Sequence, residues 1–333
     1  MGKLRIFLYA AAAACLIASC AKSETTGVND ANKRYFDAWL KINHPDAVRD
    51  GLGIYIIDET VGTGKEAGSA EDYPYALVSY TTTDLEGTVS ETTEAKVAQQ
   101  IGTYDATKYY GPVIRLRNST AMTAGQEMTL NPMRVGGTRK AVIPGWFNTT
   151  TTRSTTEDGY LENVTGDNVI LTLTLHDVIK DLSEWQIDSI SSYLAHNYPS
   201  PVDSTKYGFY YIQTKAPDDT TPFASEAKVY VNYTGRLLNG TVFDSSDEKT
   251  MKDAGLHKAG KTYSPLSITM KEDYTEIEEV IPGFALCVSN MKKGEKGTCI
   301  FYSELGYKGS SQSNIPAYSP LRFDVEMLGT SSK

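Results

Sequence analysis

The sequence predicts an α+β protein made of two copies of one domain. Its 333 residues are about twice the roughly 150 residues of a typical domain. Short motifs recur at a spacing of about 154 residues, far longer than the period of a solenoid, which indicates domain duplication. In each copy a helical pattern comes first, and short runs rich in Val, Ile, Thr, Tyr and Phe follow it. Strands accompanied by few helices are typical of the α+β class.

The first 20 residues predict an export signal that is removed. Two basic residues precede an apolar run over residues 6–18, and Ser19 stands before Cys20. This order is the pattern of a secretory signal peptide, and the run is shorter than a membrane-spanning helix requires. Residues 17–20 (IASC) resemble a bacterial lipobox, which implies cleavage before Cys20 and attachment of lipid to that cysteine.

The chain therefore divides into four segments. Residues after Cys20 are small and polar, which predicts a flexible tether. We predict a signal peptide over residues 1–19, a tether over residues 20–31, a first domain over residues 32–181 and a second domain over residues 182–333. The expected location is the bacterial cell envelope, with the protein anchored in the bilayer by acylated Cys20 and the outer membrane favoured over the inner one.

Charge and composition exclude several function classes. The net charge of −9 leaves no excess of basic residues for phosphate groups, so we expect no nucleic-acid partner. The four histidines are scattered without the spacing of metal ligands, so we expect no metal and no cofactor. After processing, Cys287 and Cys299 remain. Export allows a disulfide between them, and two buried free thiols fit their positions equally well.

Each copy begins with an amphipathic helical pattern. The apolar stripe of the first helix consists of Tyr35, Phe36, Trp39 and Leu40. The stripe of the second consists of Ile187, Ile190 and Leu194. Ser183 with Gln186 is a capping-box pattern at the start of the second helix, and prolines end both helices. The helices either pack on their own domains or brace the two domains. A third helical pattern lies within residues 277–290.

Six motifs of the second copy, in order over residues 208–328, resemble the signature of FKBP-type peptidyl-prolyl isomerases. They are residues 229–245 (VYVNYTGRLLNGTVFDS), 280–284 (VIPGF), 291–294 (MKKG), 305–307 (LGY), 315–316 (IP) and 321–328 (LRFDVEML). The resemblance implies two tandem FKBP-like domains, each an antiparallel curved β-sheet wrapped around a short central helix and preceded by an N-terminal helix. It also implies isomerase (rotamase) activity in the second domain.

The resemblance further implies a hydrophobic pocket in the second domain. Its expected substrate-binding residues are Phe243, Leu266, Val280, Ile281, Phe284, Ile315 and Phe323, with Leu266 where the family usually has an aromatic residue. Its expected catalytic residues are Tyr233, Asp244 and Tyr307. By resemblance, the Ile281 backbone N–H and the Tyr307 hydroxyl hold substrate carbonyls, and Asp244 interacts with the twisting carbonyl or orders Tyr233. A turn or capping role for Asp244 is an equal alternative.

The implied chemistry needs neither a nucleophile nor a metal. Amide resonance opposes rotation with a barrier of ~18–20 kcal/mol, and a twisted amide has lost that resonance. A water-poor aromatic pocket can therefore favour the twisted form over the planar one. Residues 247–264 are longer than the family norm, and we expect a flap there that alters specificity or occludes the pocket.

The first copy keeps the scaffold but loses the lining of the pocket. Tyr80 is retained, yet Ser90 and Glu91 replace Phe-Asp, and Gln126 stands where an aromatic residue is expected. Asn148 falls near the position that corresponds to Tyr307. We therefore expect an FKBP-like domain that is inactive. Nearby Trp146 is interpreted either as an exposed aromatic residue of a loop or as a local plug.

The leading hypothesis is a lipid-anchored prolyl isomerase and folding catalyst of the bacterial envelope, with its active site in the second domain. Its expected partners are proline-containing unfolded or partly folded envelope proteins. The alternative is a non-catalytic FKBP-like envelope lipoprotein that binds or assembles other proteins. Loss of the lining in the first copy favours the alternative, whereas the retained lining in the second copy favours the enzyme.

Overall fold

The computed structural model describes residues 30–162, 166–200, 202 and 204–331. The predicted signal peptide and the lipidation site Cys20 lie outside the described residues. Below, the N-terminal half denotes residues 30–181 and the C-terminal half denotes residues 182–331. Within the described part of the chain, no helix is long and apolar enough to cross a membrane.

The N-terminal half begins with helix α1 and contains seven strands. Its helices are α1 (Asp30–Asn43), α2 (Ala95–Gln100), α3 (Ala124–Leu130) and α4 (Glu157–Leu161). Its strands are β1 (Val48–Asp50), β2 (Ile54–Thr60), β3 (Tyr75–Thr83), β4 (Val89–Thr92), β5 (Val113–Leu116), β6 (Thr138–Ile143) and β7 (Val169–Ile179). A short 3₁₀-helix covers Gly145–Phe147.

The C-terminal half repeats this succession. Its helices are α5 (Leu182–Asn197), α6 (Glu248–Asp253) and α7 (Pro282–Asn290), with 3₁₀-helices at Tyr274–Glu276 and Ser303–Leu305. Its strands are β8 (Ser204–Lys206), β9 (Phe209–Lys215), β10 (Lys228–Leu237), β11 (Val242–Ser245), β12 (Leu266–Thr269), β13 (Lys296–Phe301) and β14 (Leu321–Gly329).

The two halves have the same sheet topology. The first sheet has the order β1-β2-β6-β7-β3-β4, with β5 paired to β3, and the second has the corresponding order β8-β9-β13-β14-β10-β11, with β12 paired to β10. Every pairing is antiparallel. The register is shared as well. Tyr75 pairs with Leu116 in the first sheet, and Lys228 pairs with Thr269 in the second. Each residue of the second pair lies 153 positions after its counterpart in the first. The predicted α+β class and the duplication are confirmed.

Helix α1 packs on the N-terminal half. Phe36 and Leu40 are buried, and the Phe36 ring lies 5.5 Å from the Trp146 ring in an edge-to-face arrangement. Trp146 is only 1% exposed, so its interpretation as an exposed aromatic residue of a loop was wrong; it belongs to the core under α1. Tyr35 is 55% exposed, so its place in the apolar stripe was also wrong.

Helix α5 packs on the C-terminal half, and its first turn differs from the prediction. Asp181 is the N-cap, and its carboxylate accepts from the Glu184 backbone N–H at 3.0 Å. The capping box of Ser183 with Gln186 was therefore wrong. Gln186 is buried and faces the C-terminal half instead. Trp185 donates from Nε1 to Asp177 at the end of β7, so the helix also contacts the N-terminal half.

Helix α7 begins later than the helical spacing predicted. Pro282 occupies its first turn and Ile281 is the N-cap, because proline lacks the N–H that an internal helical position needs and fits the first one. Val280 and Ile281 thus lie in the loop that enters the helix. Farther along, Cys287 is buried in α7 and Cys299 in β13, both as free thiols. Of the two alternatives for this pair, the structure contains the thiols.

Candidate active site

Strand alternation aims the aromatic residues of the C-terminal half at one face. Successive side chains of a strand point to opposite faces, so Tyr233 shares a face with buried Val231 on β10. In β14, Phe323 belongs to the row of alternate buried residues. Gly235 is required between them, because a Cβ atom there would lie 2.3 Å from the Phe243 ring and 2.9 Å from the Phe323 ring.

A cavity of about 850 Å³ opens between this face and the start of α7. All ten residues expected for the pocket line it. They are Tyr233, Phe243, Asp244, Leu266, Val280, Ile281, Phe284, Tyr307, Ile315 and Phe323. The volume is within the range of pockets that hold small ligands, roughly 300–1,000 Å³.

The floor of the cavity is a packed set of aromatic rings. The Phe284 and Phe323 rings lie 4.9 Å apart at 67°, and the Phe243 ring meets Phe323 edge-on at 5.4 Å. Tyr233 contacts Phe284 at 5.6 Å in the same edge-to-face manner. Phe284 is 2% exposed and Phe323 is 5% exposed. The rings hold one another in place, so the floor is rigid and apolar before any ligand enters.

One carboxylate faces the aromatic floor. The Tyr233 hydroxyl donates to Asp244 Oδ2 at 2.5 Å, while Asp244 Oδ1 accepts from the Ser245 backbone N–H at 3.0 Å and lies 3.3 Å from Lys261 Nζ. Burial and the nearby Asp244 carboxylate raise the pKa of Tyr233 well above its usual value. Tyr233 therefore keeps its proton, and Asp244 is held by three donors.

Two hydrogen-bond donors at the cavity remain unused. Among the described residues, the Tyr307 hydroxyl makes no hydrogen bond, although it lines the cavity and is half-buried. Burial raises the pKa of Tyr307, so this hydroxyl is protonated at neutral pH. Ile281 is the N-cap of α7, so its backbone N–H has no partner within the helix. Both donors are available to carbonyl groups of a ligand.

The flap over residues 247–264 lines the cavity and leaves it open. Helix α6 lies at the start of the flap. Side chains of the flap form one wall of the cavity. The wall consists of Met251, Leu256, Lys258, Lys261 and Tyr263. Sequence reasoning missed these residues individually, because only the length of the insertion signalled them. Thr107 of the N-terminal half also reaches the cavity, and nothing in the sequence indicated this contact.

Comparison with known families agrees with this geometry. The model of the family described as FKBP-type peptidyl-prolyl cis-trans isomerase matches residues 220–328. The matched segment, residues 220–328, belongs to this family. The chain is 34% identical over 127 residues to the isomerase FkpA of Buchnera aphidicola, and the aligned part is 38% of this chain and 42% of the relative. Against the macrophage infectivity potentiator of Trypanosoma cruzi it is 35% identical over 108 residues, 32% of this chain and 44% of the relative.

Solved FKBP structures align with longer parts of the chain. The crystal structure of FkpA from Escherichia coli covers 46% of this chain and 63% of its own, at 26% identity and a TM-score of 0.33. The structure of the three FKBP domains of wheat FKBP73 covers 83% of this chain and 94% of its own, at 16% identity and a TM-score of 0.30. The chain spans less than half the length of the curated relatives described above.

The N-terminal half has a small, polar cavity at the position that corresponds to the FKBP-type pocket. The cavity there has a volume of about 280 Å³. Ser90, Gln126 and Asn148, the three polar replacements, all line it. Gln126 stands where an aromatic residue was expected. Its side chain accepts a hydrogen bond from the Thr123 backbone N–H at 2.9 Å and closes a capping box at the start of α3.

The N-terminal half nevertheless keeps the tyrosine–carboxylate pair of the FKBP-type site. The Tyr80 hydroxyl donates to Glu91 Oε1 at 2.6 Å, and these residues lie 153 positions before Tyr233 and Asp244. Arg115 additionally donates to the Tyr80 hydroxyl at 2.5 Å. Burial raises the pKa of Tyr80 to about 12. The Arg115 guanidinium therefore lies next to the retained pair of Tyr80 and Glu91.

Proposed function

We propose that the C-terminal half catalyses cis-trans isomerisation of prolyl peptide bonds in the cavity beneath residues 247–264. The observation that carries this proposal is the combination of a packed aromatic floor with two unused hydrogen-bond donors beside it. A nucleophile, a metal and a cofactor play no part in the proposed reaction. Its proposed substrates are proline-containing unfolded or partly folded proteins.

The floor binds the prolyl ring. Phe243, Phe284 and Phe323 offer apolar surfaces to the ring, and burial of the substrate amide removes water from it. The planar ground state carries the larger dipole because of amide resonance, so removal of water costs the planar state more than the twisted one. The barrier falls by the difference between these two costs.

The unused donors orient the chain on either side of the twisting bond. The Tyr307 hydroxyl and the Ile281 backbone N–H each donate to one substrate carbonyl, which holds the flanking segments while the amide rotates. Asp244 acts mainly by fixing the Tyr233 ring through their 2.5 Å hydrogen bond. Lys261 neutralises part of the charge of Asp244 from the flap side.

The N-terminal half has a different proposed role. Its cavity is lined largely by polar side chains and lacks the aromatic floor, so it does not suit an apolar prolyl ring, and we propose that this half binds and positions clients.

We further propose a lipid anchor at Cys20 in the bacterial envelope, supported by the lipobox-like residues 17–20. Replacing Cys20 with Ser should abolish incorporation of labelled fatty acid and release the protein from the membrane fraction.

Isomerisation of a proline tetrapeptide, followed without a coupling protease, tests the activity. The full chain should accelerate exchange, and Phe284→Ala and Tyr307→Phe should each lower kcat/KM at least tenfold. Tyr230→Phe is the matched control, because Tyr230 lies on β10 but does not line the cavity. A folded wild type with no rate above buffer would reject the enzyme and favour the non-catalytic binding protein.

A further inference from the structure

A second cavity of about 790 Å³ lies between the two halves and adjoins the candidate active site. We call it the interdomain cleft. Ser313 and Ile315 line both the cleft and the active-site cavity, so the two cavities meet at these residues. A polypeptide bound in the active-site cavity can therefore continue into the cleft.

One wall of the cleft is an unpaired strand edge. All four residues of β5 line the cleft. Among the described strands β5 pairs with β3 alone, and the other hydrogen bond found at its main chain is from the Ser119 hydroxyl to the Leu116 carbonyl. An antiparallel strand directs alternate main-chain groups to each side. The outer edge of β5 thus offers N–H and C=O groups to an extended chain.

The remaining walls suit a polypeptide of ordinary composition. Tyr109 and Tyr110 come from the N-terminal half and Tyr318 from the C-terminal half. Tyrosines combine apolar area with a hydroxyl and are enriched where proteins bind other proteins. Charges of both signs are present in Glu91 and Arg115, so the cleft selects neither acidic nor basic chains. Such a surface recognises main chain more than particular side chains.

We propose that the segment of client polypeptide flanking the isomerised proline binds in the interdomain cleft as an extended strand, paired with the free edge of β5. This inference rests on the proposed function of the C-terminal half and adds a subsite to it. Addition of a strand to an exposed sheet edge is a common mode of peptide recognition, in which main-chain hydrogen bonds provide the affinity. The N-terminal half would then bind clients through this edge, although its own pocket is degenerate.

The proposal makes substrate length decisive. The four residues of β5 span about 13 Å at roughly 3.3 Å per residue, so about four client residues are needed beyond the proline. A tetrapeptide is too short to fill the cleft. An eight-residue extension of Thr, Val and Ser on the correct side of the proline should raise kcat/KM about tenfold, which corresponds to about 1.4 kcal/mol.

The experiment compares the full chain on four peptides: the tetrapeptide, the tetrapeptide extended on its N-terminal side, the tetrapeptide extended on its C-terminal side, and the effective extended peptide with alternate amides N-methylated. N-methylation removes main-chain donors from the peptide without altering the protein. We expect the tenfold preference for one extended peptide and its loss on N-methylation. Ala121→Trp, at an exposed residue that lines the cleft, should reduce the ratio of extended to tetrapeptide kcat/KM to about one, and Ala121→Ser should preserve it.

Several outcomes overturn the inference while leaving isomerase activity intact. Equal kcat/KM for all peptides would do so, as would a preference that survives both N-methylation and Ala121→Trp. A concentration-dependent dimer in sedimentation that Ala121→Trp dissociates would assign the β5 edge to a second copy of the chain instead. Failure of the proposed function is a separate result, namely no turnover of any peptide, and binding of the labelled extended peptide by fluorescence anisotropy still tests the cleft in that case.

Discussion

Gln186 joins helix α5 to the loop that carries Tyr307, and its replacement by Leu tests that connection. The side chain is 0% exposed. Its Nε2 donates to Ser303 Oγ at 3.0 Å and to the Tyr318 carbonyl at 2.9 Å, while its Oε1 accepts from the Ser303 backbone N–H at 2.7 Å. These bonds hold both ends of the segment from residue 303 to residue 318, which includes Tyr307 and four further residues that line the cavity.

Gln186→Leu keeps the approximate size of the side chain and removes all three hydrogen bonds. Ser303 is 1% exposed, so its N–H and hydroxyl lose their Gln186 partner away from water. A buried group that loses its partner costs about 1–3 kcal/mol. Because two such groups belong to Ser303 and the added apolar atoms of Leu offset part of the cost, we expect a loss of about 3 kcal/mol in the free energy of unfolding.

Urea denaturation of the full chain, followed by circular dichroism and tryptophan fluorescence, measures this loss. Asp188→Asn is the control, because Asp188 is exposed on the same helix and exposed substitutions usually change stability by less than about 0.5 kcal/mol. Under conditions where both proteins are folded, Gln186→Leu should also lower kcat/KM for the tetrapeptide. A loss no larger than that of the control would mean that the Gln186 hydrogen bonds do not stabilise this segment.

Three further predictions concern titration, thiols and capping. Burial raises the pKa of Tyr80 to about 12, so its stabilising effect is complete below pH 10 and disappears as the pH rises to 12. Over that window the free energy of unfolding should fall by up to about 2.7 kcal/mol more in the wild type than in Tyr80→Phe, measured by urea denaturation. Cys287 and Cys299 are buried, so peptide-resolved mass spectrometry should find neither alkylated by iodoacetamide before unfolding, and native alkylation would contradict their burial. Asp181→Ala should cost about 1 kcal/mol through the lost cap, whereas Ser183→Ala should have little effect; the opposite order would restore the capping box that the sequence suggested.

Ten residues of the cavity were predictable because the family motifs that carry them are local. Tyr-Thr-Gly fixes both an inward tyrosine and a glycine at position 235 that must admit two aromatic rings. Alternation along β14 directs Phe323 inward. Each of these features depends on spacing of a few residues, so the order of the motifs carries them. The roles of Tyr233, Asp244 and Tyr307 stay predictions until the variants are measured.

Features that depend on distant contacts could not be read in the same way. The pattern Ser183-x-x-Gln186 is a sound capping signal, but three partners from residues 303 and 318 drew Gln186 into the interior instead. Trp146 lies just before a Thr-rich polar stretch, and the contact with α1 that buries it comes from a distant part of the chain. The flap was visible only as extra length, because nothing in residues 247–264 specifies which wall they form.

The amino-acid sequence alone specifies the duplication and the α+β class, because periodicity and local motifs encode strand faces and turns, and its family resemblance identified ten of the residues that line the cavity. The open edge of β5 beside the candidate active site, and the position of Ile315 at the boundary of two cavities, follow from the folded structure alone. Those features arise where two folded halves meet. Some of the contacts between the halves join residues far apart in the chain, such as the Tyr75 and Tyr318 rings, which lie 5.3 Å from each other, and no local pattern in the chain specifies them.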